Sequence, residues 1–281
     1  MNTFVPERFV ENVHRLALGL EPFDAERRAR ITHTIQVTAD VAPLGKPHPP
    51  IEHHDTSLHT VRYWSKPTTA GVIALRFFDC TSDLYHASGD LRRFVPRRLE
   101  FPLQTIEGAE NNVFQRRIRR PVLFPGAAYN VDAGATGIRG LVTHGEKGPP
   151  ARWVRVEARI LTEGGAGQAV VARTHGDDRG EFLLILPSAT VPLDELPGRA
   201  NPLKIVIDIF AWKTPPTPTP KDLPGIDPLW DLPVEKVPLE PVGPDDPISR
   251  GEALPAGYEK KSAKEVECEI AVLKFERFKI V

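Results

Sequence analysis

Apolar and polar residues alternate in short runs along most of the chain, the period-2 signature of strands with one buried face. In Leu16-Ala17-Leu18-Gly19-Leu20 the leucines share a face, and the pattern repeats over Ile31 to Val37 after the turn-like Glu21-Pro22-Phe23-Asp24. Val72 to Phe78 and Arg97 to Leu103 continue the series. A helix over Glu7 to Leu18, with Phe9, Val13 and Leu16 on one face, is the alternative reading of the first stretch. A second block begins near Thr136, with strands predicted at Ile138 to Val142, Trp153 to Leu161, Ala169 to Thr174, Phe182 to Leu186 and Leu203 to Ile209. In Trp153 to Leu161, Val154, Val156, Ala158 and Ile160 alternate with Arg155, Glu157 and Arg159, which predicts one buried and one wet face. Lys264 to Val281 returns to the pattern, with Val266, Cys268, Ile270 and Val272 on one face. Short strands separated by turn signals predict a sandwich rather than a parallel sheet with helices between.

Composition strengthens that picture. The 281 residues include 29 Pro, about twice the ordinary share, and so many helix breakers exclude a helical bundle or coiled coil. The Pro residues are unevenly placed: 12 of the 44 residues from 214 to 257 are Pro. Between Asp222 and Glu252 that stretch also carries eight carboxylates against Lys236 and Arg250, a net charge of -6. Such a segment lacks the donors for a regular domain and reads as an extended, polyproline-like arm. It also bears Ile226, Leu229, Trp230, Leu232, Val234, Val237 and Leu239, apolar side chains that a solvated spacer has little reason to carry. The expected fold is therefore all-β: two β-sandwich (Ig-like or transthyretin-like) domains, residues 1–125 and 136–212, a Pro-rich acidic arm at 214–257, and C-terminal strand(s) at 258–281 that complete a sheet.

Overall charge narrows the partner class. Thirty-six Lys and Arg against 37 Asp and Glu leave a net -1, so no global basic field draws the chain to nucleic acid or an anionic membrane. The first twenty residues hold Pro6, Glu7, Arg8, Glu11, His14 and Arg15, unlike a secretory apolar segment, and no apolar run approaches the ~18 residues of a membrane span. The expected location is the cytoplasm. Cys80 and Cys268 have no Cys-x-x-Cys partner and read as inert thiols in packed strands.

Residues 136–212 resemble the carboxypeptidase regulatory-like domain, a small transthyretin-like β-sandwich. The resemblance lies in Ile138-Arg139-Gly140-Leu141-Val142, the Val154/Val156 strand, Ala172-Arg173-Thr174 and Asp178-Arg179-Gly180-Glu181-Phe182-Leu183-Leu184, where the Asp/Gly pair makes a tight turn and Phe182 plugs the core. Where such a domain has a small Gly-Ala pair, this chain has Arg152-Trp153, which marks a contact surface. The module is usually an accessory and implies little about activity. Ring-cleaving dioxygenases of the same sandwich class bind ferric iron through two Tyr and two His with a late His-x-His; here His175 is the last histidine and Tyr258 the only later tyrosine, so that ligand set is missing. The joint presence of two β-blocks, no enzyme motif and an acidic arm also resembles, in architecture, components of phage-tail-like contractile injection particles.

Candidate chemistry is sparse. His53-His54-Asp55 with His59 is the densest metal-like cluster, but it follows Pro47-His48-Pro49-Pro50 in an expected loop, with no Cys and no evident fourth ligand. Gly164, Gly165 and Gly167 lack the Lys-Ser/Thr of a phosphate loop, and Ser188 follows Pro187 without a nucleophile elbow. No cofactor, metal or catalytic residue is assigned. Local charge is more informative. Arg92, Arg93, Arg97, Arg98, Arg116, Arg117, Arg119 and Arg120 face three Glu in residues 92–120, opposite in sign to Asp222, Asp227, Asp231, Glu235 and Glu240 of the arm, which also carries Trp230. Arginine favours bidentate pairing with carboxylates, so the arm of one subunit is expected to dock on the Arg-rich surface of a neighbour and set register in a ring; docking within the chain, or two independently solvated surfaces, are the alternatives. The expected function is a non-enzymatic assembly subunit of a homo-oligomeric particle, with protein subunits as partners. The alternatives are an accessory carbohydrate- or peptide-binding module, or an enzyme whose site the sequence does not display.

Overall fold

Eighteen strands in five sheets make up the described residues of the chain, numbered here in chain order, with one short helix at Ile106–Glu110. The computed structural model describes residues 16–40, 51–54, 57–63, 71–81, 85, 89–111, 117–160, 169–187, 202–218, 227–237 and 254–280. The chain is all-β in class. The helix is capped by the Thr105 side chain, which accepts from Gly108 N. No helix among the described residues is long and apolar enough to cross a membrane.

The first half, with β16 added from the Pro-rich stretch, builds three sheets. One has the order β5 (Ile51–His54), β6 (Leu58–Arg62), β1 (Leu16–Leu20), β9 (Ile118–Arg119); a small one joins β10 (Val122–Leu123), β2 (Phe23–Asp24) and β3 (Ala29–Arg30). The third runs β16 (Val234–Lys236), β8 (Arg97–Leu103), β7 (Gly71–Phe78), β4 (Gln36–Ala39). Their apolar faces meet in one core that includes Leu18, Leu20, Ile35, Val61, Leu75, Phe77, Leu99 and Phe101. The run expected over Ile31 to Val37 is not one strand: β3 ends at Arg30 and β4 begins at Gln36, with Ile31 and Ile35 buried from the irregular chain between. Residues 1–15, the bulk of the alternative helix, lie outside the described residues, and Leu16–Leu20 is a strand.

The second half packs two sheets face to face. One has the order β14 (Glu181–Leu186), β11 (Thr136–His144), β18 (Leu273–Ile280); the other runs β13 (Val170–His175), β12 (Arg155–Ile160), β15 (Leu203–Trp212), β17 (Tyr258–Cys268). Between them lies a second core of Ile138, Val142, Val156, Phe182, Leu184, Ile207, Ile209, Val266 and Phe278, among others. The alternation expected from Val266 to Val272 stops at Cys268: Val266 and Cys268 enter this core, whereas a turn with Ala271 at φ 63° separates β17 from β18 and leaves Val272 exposed. β18 then lies parallel to β11, from Gly137 opposite Leu273 to His144 opposite Ile280.

β14 joins the two cores. Phe182, Leu184 and Leu186 point into the second, while Leu183 packs in the first with Ile185 beside it. A strand buried on both faces needs no polar alternation, hence the unbroken Phe182-Leu183-Leu184-Ile185-Leu186. Each such side chain contributes about 1.5–3 kcal/mol on leaving water, so the cores are coupled through this strand.

Candidate functional site

The candidate site is a buried charged seam between the two cores. It begins at β8, whose burial alternates along Arg97-Arg98-Leu99-Glu100-Phe101-Pro102-Leu103 with the odd-numbered residues inside. Arg97 therefore occupies a core position, in phase with Leu99, Phe101 and Leu103. A guanidinium there is tolerable only if fully paired. The partner comes from the Pro-rich stretch: β16 runs parallel to β8, with Glu235 opposite Leu99, and the Glu235 carboxylate accepts from Arg97 Nε at 2.9 Å and Nη2 at 2.7 Å. Arg97 Nη1 donates to Val122 O, and the guanidinium lies over the Phe124 ring at 5.0 Å.

The seam continues into the second half of the chain. The His175 ring lies 4.6 Å from that of Phe124, and its Nδ1 is 3.8 Å from Glu235 Oε1. His175 faces Arg155 across the β12/β13 ladder. Arg155 Nε and Arg173 Nε both donate to Glu157 Oε1, at 2.9 and 3.0 Å. Contrary to the expected wet face of β12, Arg155 and Glu157 are only 2% and 8% exposed. The charges alternate along the strand as foreseen, but they are buried and paired with one another instead of hydrated. Burial, followed by the cations Arg97, Arg155 and Arg173, pushes the His175 pKa down to about 3 against the pull of Glu235. Burial likewise lowers that of Arg155, and raises that of the Tyr258 hydroxyl, which donates to Trp153 O at 2.7 Å.

Residues 227–237 act as a clasp across both halves. Asp227 accepts from Arg76 Nη1 at 2.7 Å and from Leu229 N at 3.1 Å. Leu229 and Leu232 insert among Phe78, Cys80 and Tyr85 of one half and Trp153 of the other. Asp231 accepts from Trp153 Nε1 at 2.8 Å and pairs with Arg152 at 2.9 Å, while Pro228 O accepts from Arg152 Nη2 at 2.6 Å. Arg152 and Trp153 thus do form a contact surface, toward the clasp. Val237 N donates to Glu100 O at 2.9 Å and its side chain enters the first core. Trp230 is half-buried. Lys213 N donates to Gly257 O at 2.8 Å, closing the two ends of the excursion on each other.

Of the arginines foreseen as an interaction surface, Arg93, Arg97, Arg98, Arg117, Arg119 and Arg120 are engaged within the chain through their side chains. Arg93 grips Asp79 through Nε at 2.8 Å and Nη2 at 2.7 Å; Arg98 pairs with Asp40, which also accepts from Arg76 Nε at 2.8 Å. Arg120 pairs with Glu21 at 2.8 Å and covers the Phe23 ring. Arg117 Nη1 donates to Leu16 O at 3.2 Å, and Arg119 is buried, with its pKa lowered by desolvation. Arg92 sits at φ 57° with its N–H donated to Asp90 Oδ1. Arg116, Asp222 and Glu240 lie outside the described residues. Of the expected opposite-charge docking, the structure brings together Arg97 with Glu235, and it does so inside one chain. Both side chains are at most 3% exposed, which leaves neither for a neighbouring subunit.

The histidine cluster is not in a loop. His53 and His54 end β5, and His53 pairs with His59 of β6, the rings stacked at 4.8 Å. Burial, then His53, lowers the His59 pKa to about 4. His54 Nε2 lies 2.8 Å from Thr60 Oγ1. Asp55, Gly164, Gly165, Gly167 and Ser188 lie outside the described residues. Among the described residues no group of three or more His, Cys, Asp or Glu is arranged to hold a metal ion. Cys80 and Cys268 are buried cysteines that form no disulfide.

Sequence reasoning missed Asp40, Asp79, Arg76, Arg155, Glu157 and His175 as members of these networks. One signal was present: a charged residue in phase with core residues, as Arg97 is with Leu99 and Phe101, requires a buried counter-ion. Comparison with known protein families, with curated proteins and with solved structures gives no match.

Proposed function

We propose that the protein is a non-enzymatic assembly subunit of a larger homo-oligomeric particle, a ring or cap component of the phage-tail-like contractile kind being the favoured form. In this reading residues 16–125 form one sandwich domain, and 136–212 with the strands of 258–280 form a second, transthyretin-like one. The arm clasps them into a single rigid unit. The observation that carries the reading is the pair of long strands that end their sheets. β17, eleven residues, and β18, eight residues, follow each other in the chain, and each lies at an edge of its sheet among the described residues. Edge strands are templates for pairing with another chain, and a clasped, rigid body presents them in fixed orientation. The internal consumption of the arginines also favours protein subunits over nucleic acid as partners, since paired and buried guanidiniums offer little to phosphate.

The test is the mass of the full chain in solution, by light scattering and sedimentation velocity over a range of concentrations. A discrete oligomer is expected. A strict monomer at every concentration, with no partner retained from its native source, overturns the reading.

A further inference from the structure

We infer that β18 is the self-association edge, pairing antiparallel with β18 of a second copy about a two-fold axis at Phe275. The inference rests on the assembly reading above and names its contact.

The parity of the β11/β18 ladder decides which backbone groups of β18 face away from β11. Val272 O accepts from Gly137 N and Ile280 O from Gly145 N, so the even-numbered residues of β18 bond to β11. Leu273, Phe275, Arg277 and Lys279 consequently turn their N–H and C=O groups outward. Lys264 Nζ, arriving from β17, reaches Arg277 O at 3.5 Å, which places that carbonyl on the outer side. Phe275 is 60% exposed, the largest exposed aromatic side chain among the described residues, with the Arg277 guanidinium 6.0 Å from its ring centre.

Side-chain charge then selects the register. Lys274 and Glu276 share the face of β18 that carries Phe278 and Ile280; Glu276 pairs with Lys264 of β17 at 2.6 Å and with Lys274 of its own strand at 2.9 Å. Antiparallel pairing centred on Phe275 sets Phe275 against Phe275 as a hydrogen-bonded pair. It sets Lys274 of each copy against Glu276 of the other, twice by symmetry, in the closer non-hydrogen-bonded positions. Moving the axis to residue 276 opposes Glu276 to itself, and moving it to 277 opposes Arg277 to itself. Lysines on an edge discourage indiscriminate pairing, and here the alternating signs admit the chain's own β18 in one register. The product is a continuous sheet in the order β14-β11-β18 and, from the second copy, β18-β11-β14.

Sedimentation equilibrium of the full chain tests this with three variants. Phe275→Pro removes an outward N–H and leaves the ladder to β11 intact; it should abolish the β18 contact while circular dichroism stays unchanged. Lys274→Glu should weaken self-association about tenfold or more, and adding Glu276→Lys should restore it. Self-association that is unchanged in Phe275→Pro and Lys274→Glu overturns the β18 edge but leaves the assembly reading standing. A wild-type monomer at every concentration overturns the β18 contact, and with it the assembly reading if no partner is retained from the native source. Weakening by Lys274→Glu that the double exchange fails to restore overturns the register.

Discussion

Arg97 donates through Nε and Nη2 to both carboxylate oxygens of Glu235, a residue 138 positions away in the chain, with both side chains buried at the seam between two cores. A bidentate pair of this kind is directional: it fixes the plane of one side chain against the other, and so fixes the clasp against β8. Its net contribution to stability is small, because desolvation of two ions offsets most of their attraction. Breaking it is another matter.

Glu235→Ala leaves a buried guanidinium without its counter-ion and should cost about 3–5 kcal/mol in chemical denaturation. Arg97→Met combined with Glu235→Leu should cost much less, because no charge is then stranded. Near-equal losses for the single and double changes would mean that packing, and not charge, holds the clasp.

Leu229 lies 1% exposed among Phe78, Trp153 and Leu232, so Leu229→Ala should remove about 2–4 kcal/mol of clasp stability. Hydrogen exchange locates the loss. The amides of Val234 to Val237 should exchange faster while those of β12 and β15 keep their protection; uniform acceleration would show that the clasp does not open separately from the sheets.

His175 makes stability depend on pH. Its folded pKa, about 3, lies below its unfolded value of about 6.5, so between these limits the unfolded chain binds a proton that the folded chain excludes. Stability should therefore fall as pH drops through this window, by about 2 kcal/mol between pH 7.5 and 5. Glu235, Arg97, Arg155, Arg173 and the Phe124 ring face the imidazole. Asp177, raised to about 7 mainly by burial, contributes with the opposite sign: its stability contribution declines as pH rises from about 4 to 7. Comparing wild type with His175→Phe by thermal melts isolates the histidine. A wild-type curve that parallels the variant's across this range would refute its role.

Gly140 lies opposite Phe182 in the β11/β14 ladder, and a Cβ at Gly140 would stand 2.1 Å from Phe182 Cζ. Gly140→Ala should destabilise by about 1–3 kcal/mol through overpacking. Adding Phe182→Leu should recover part of that loss, a coupling that a double-mutant cycle measures directly. Additive losses would place the clash elsewhere.

Legibility followed the range of the forces involved. β7, β8, β11, β12 and β15 were readable to within about two residues at nearly every end, because hydrophobic alternation is local. The resemblance to a transthyretin-like module predicted Phe182 as a core plug, and Phe182 does occupy the second core. Leu183 and Ile185, with the same residue types, gave no sign of serving a different core from Leu184. The arm's opposite charge to the Arg-rich stretch was legible, yet whether Glu235 meets Arg97 of its own chain or of a neighbour depends on where the excursion from Lys213 to Gly257 lies in space.

The sequence by itself determined the class of the protein: period-2 apolar runs and scattered prolines permit strands and forbid long helices, whatever the tertiary arrangement. It also determined that the stretch around Leu229, Trp230 and Leu232 would not stay solvated, since apolar side chains there gain by leaving water. Only the tertiary structure decided which charges are buried and which strand serves two cores. Those outcomes depend on contacts between residues far apart in the chain. An arginine in phase with leucines reads the same in sequence whether a carboxylate reaches it or not.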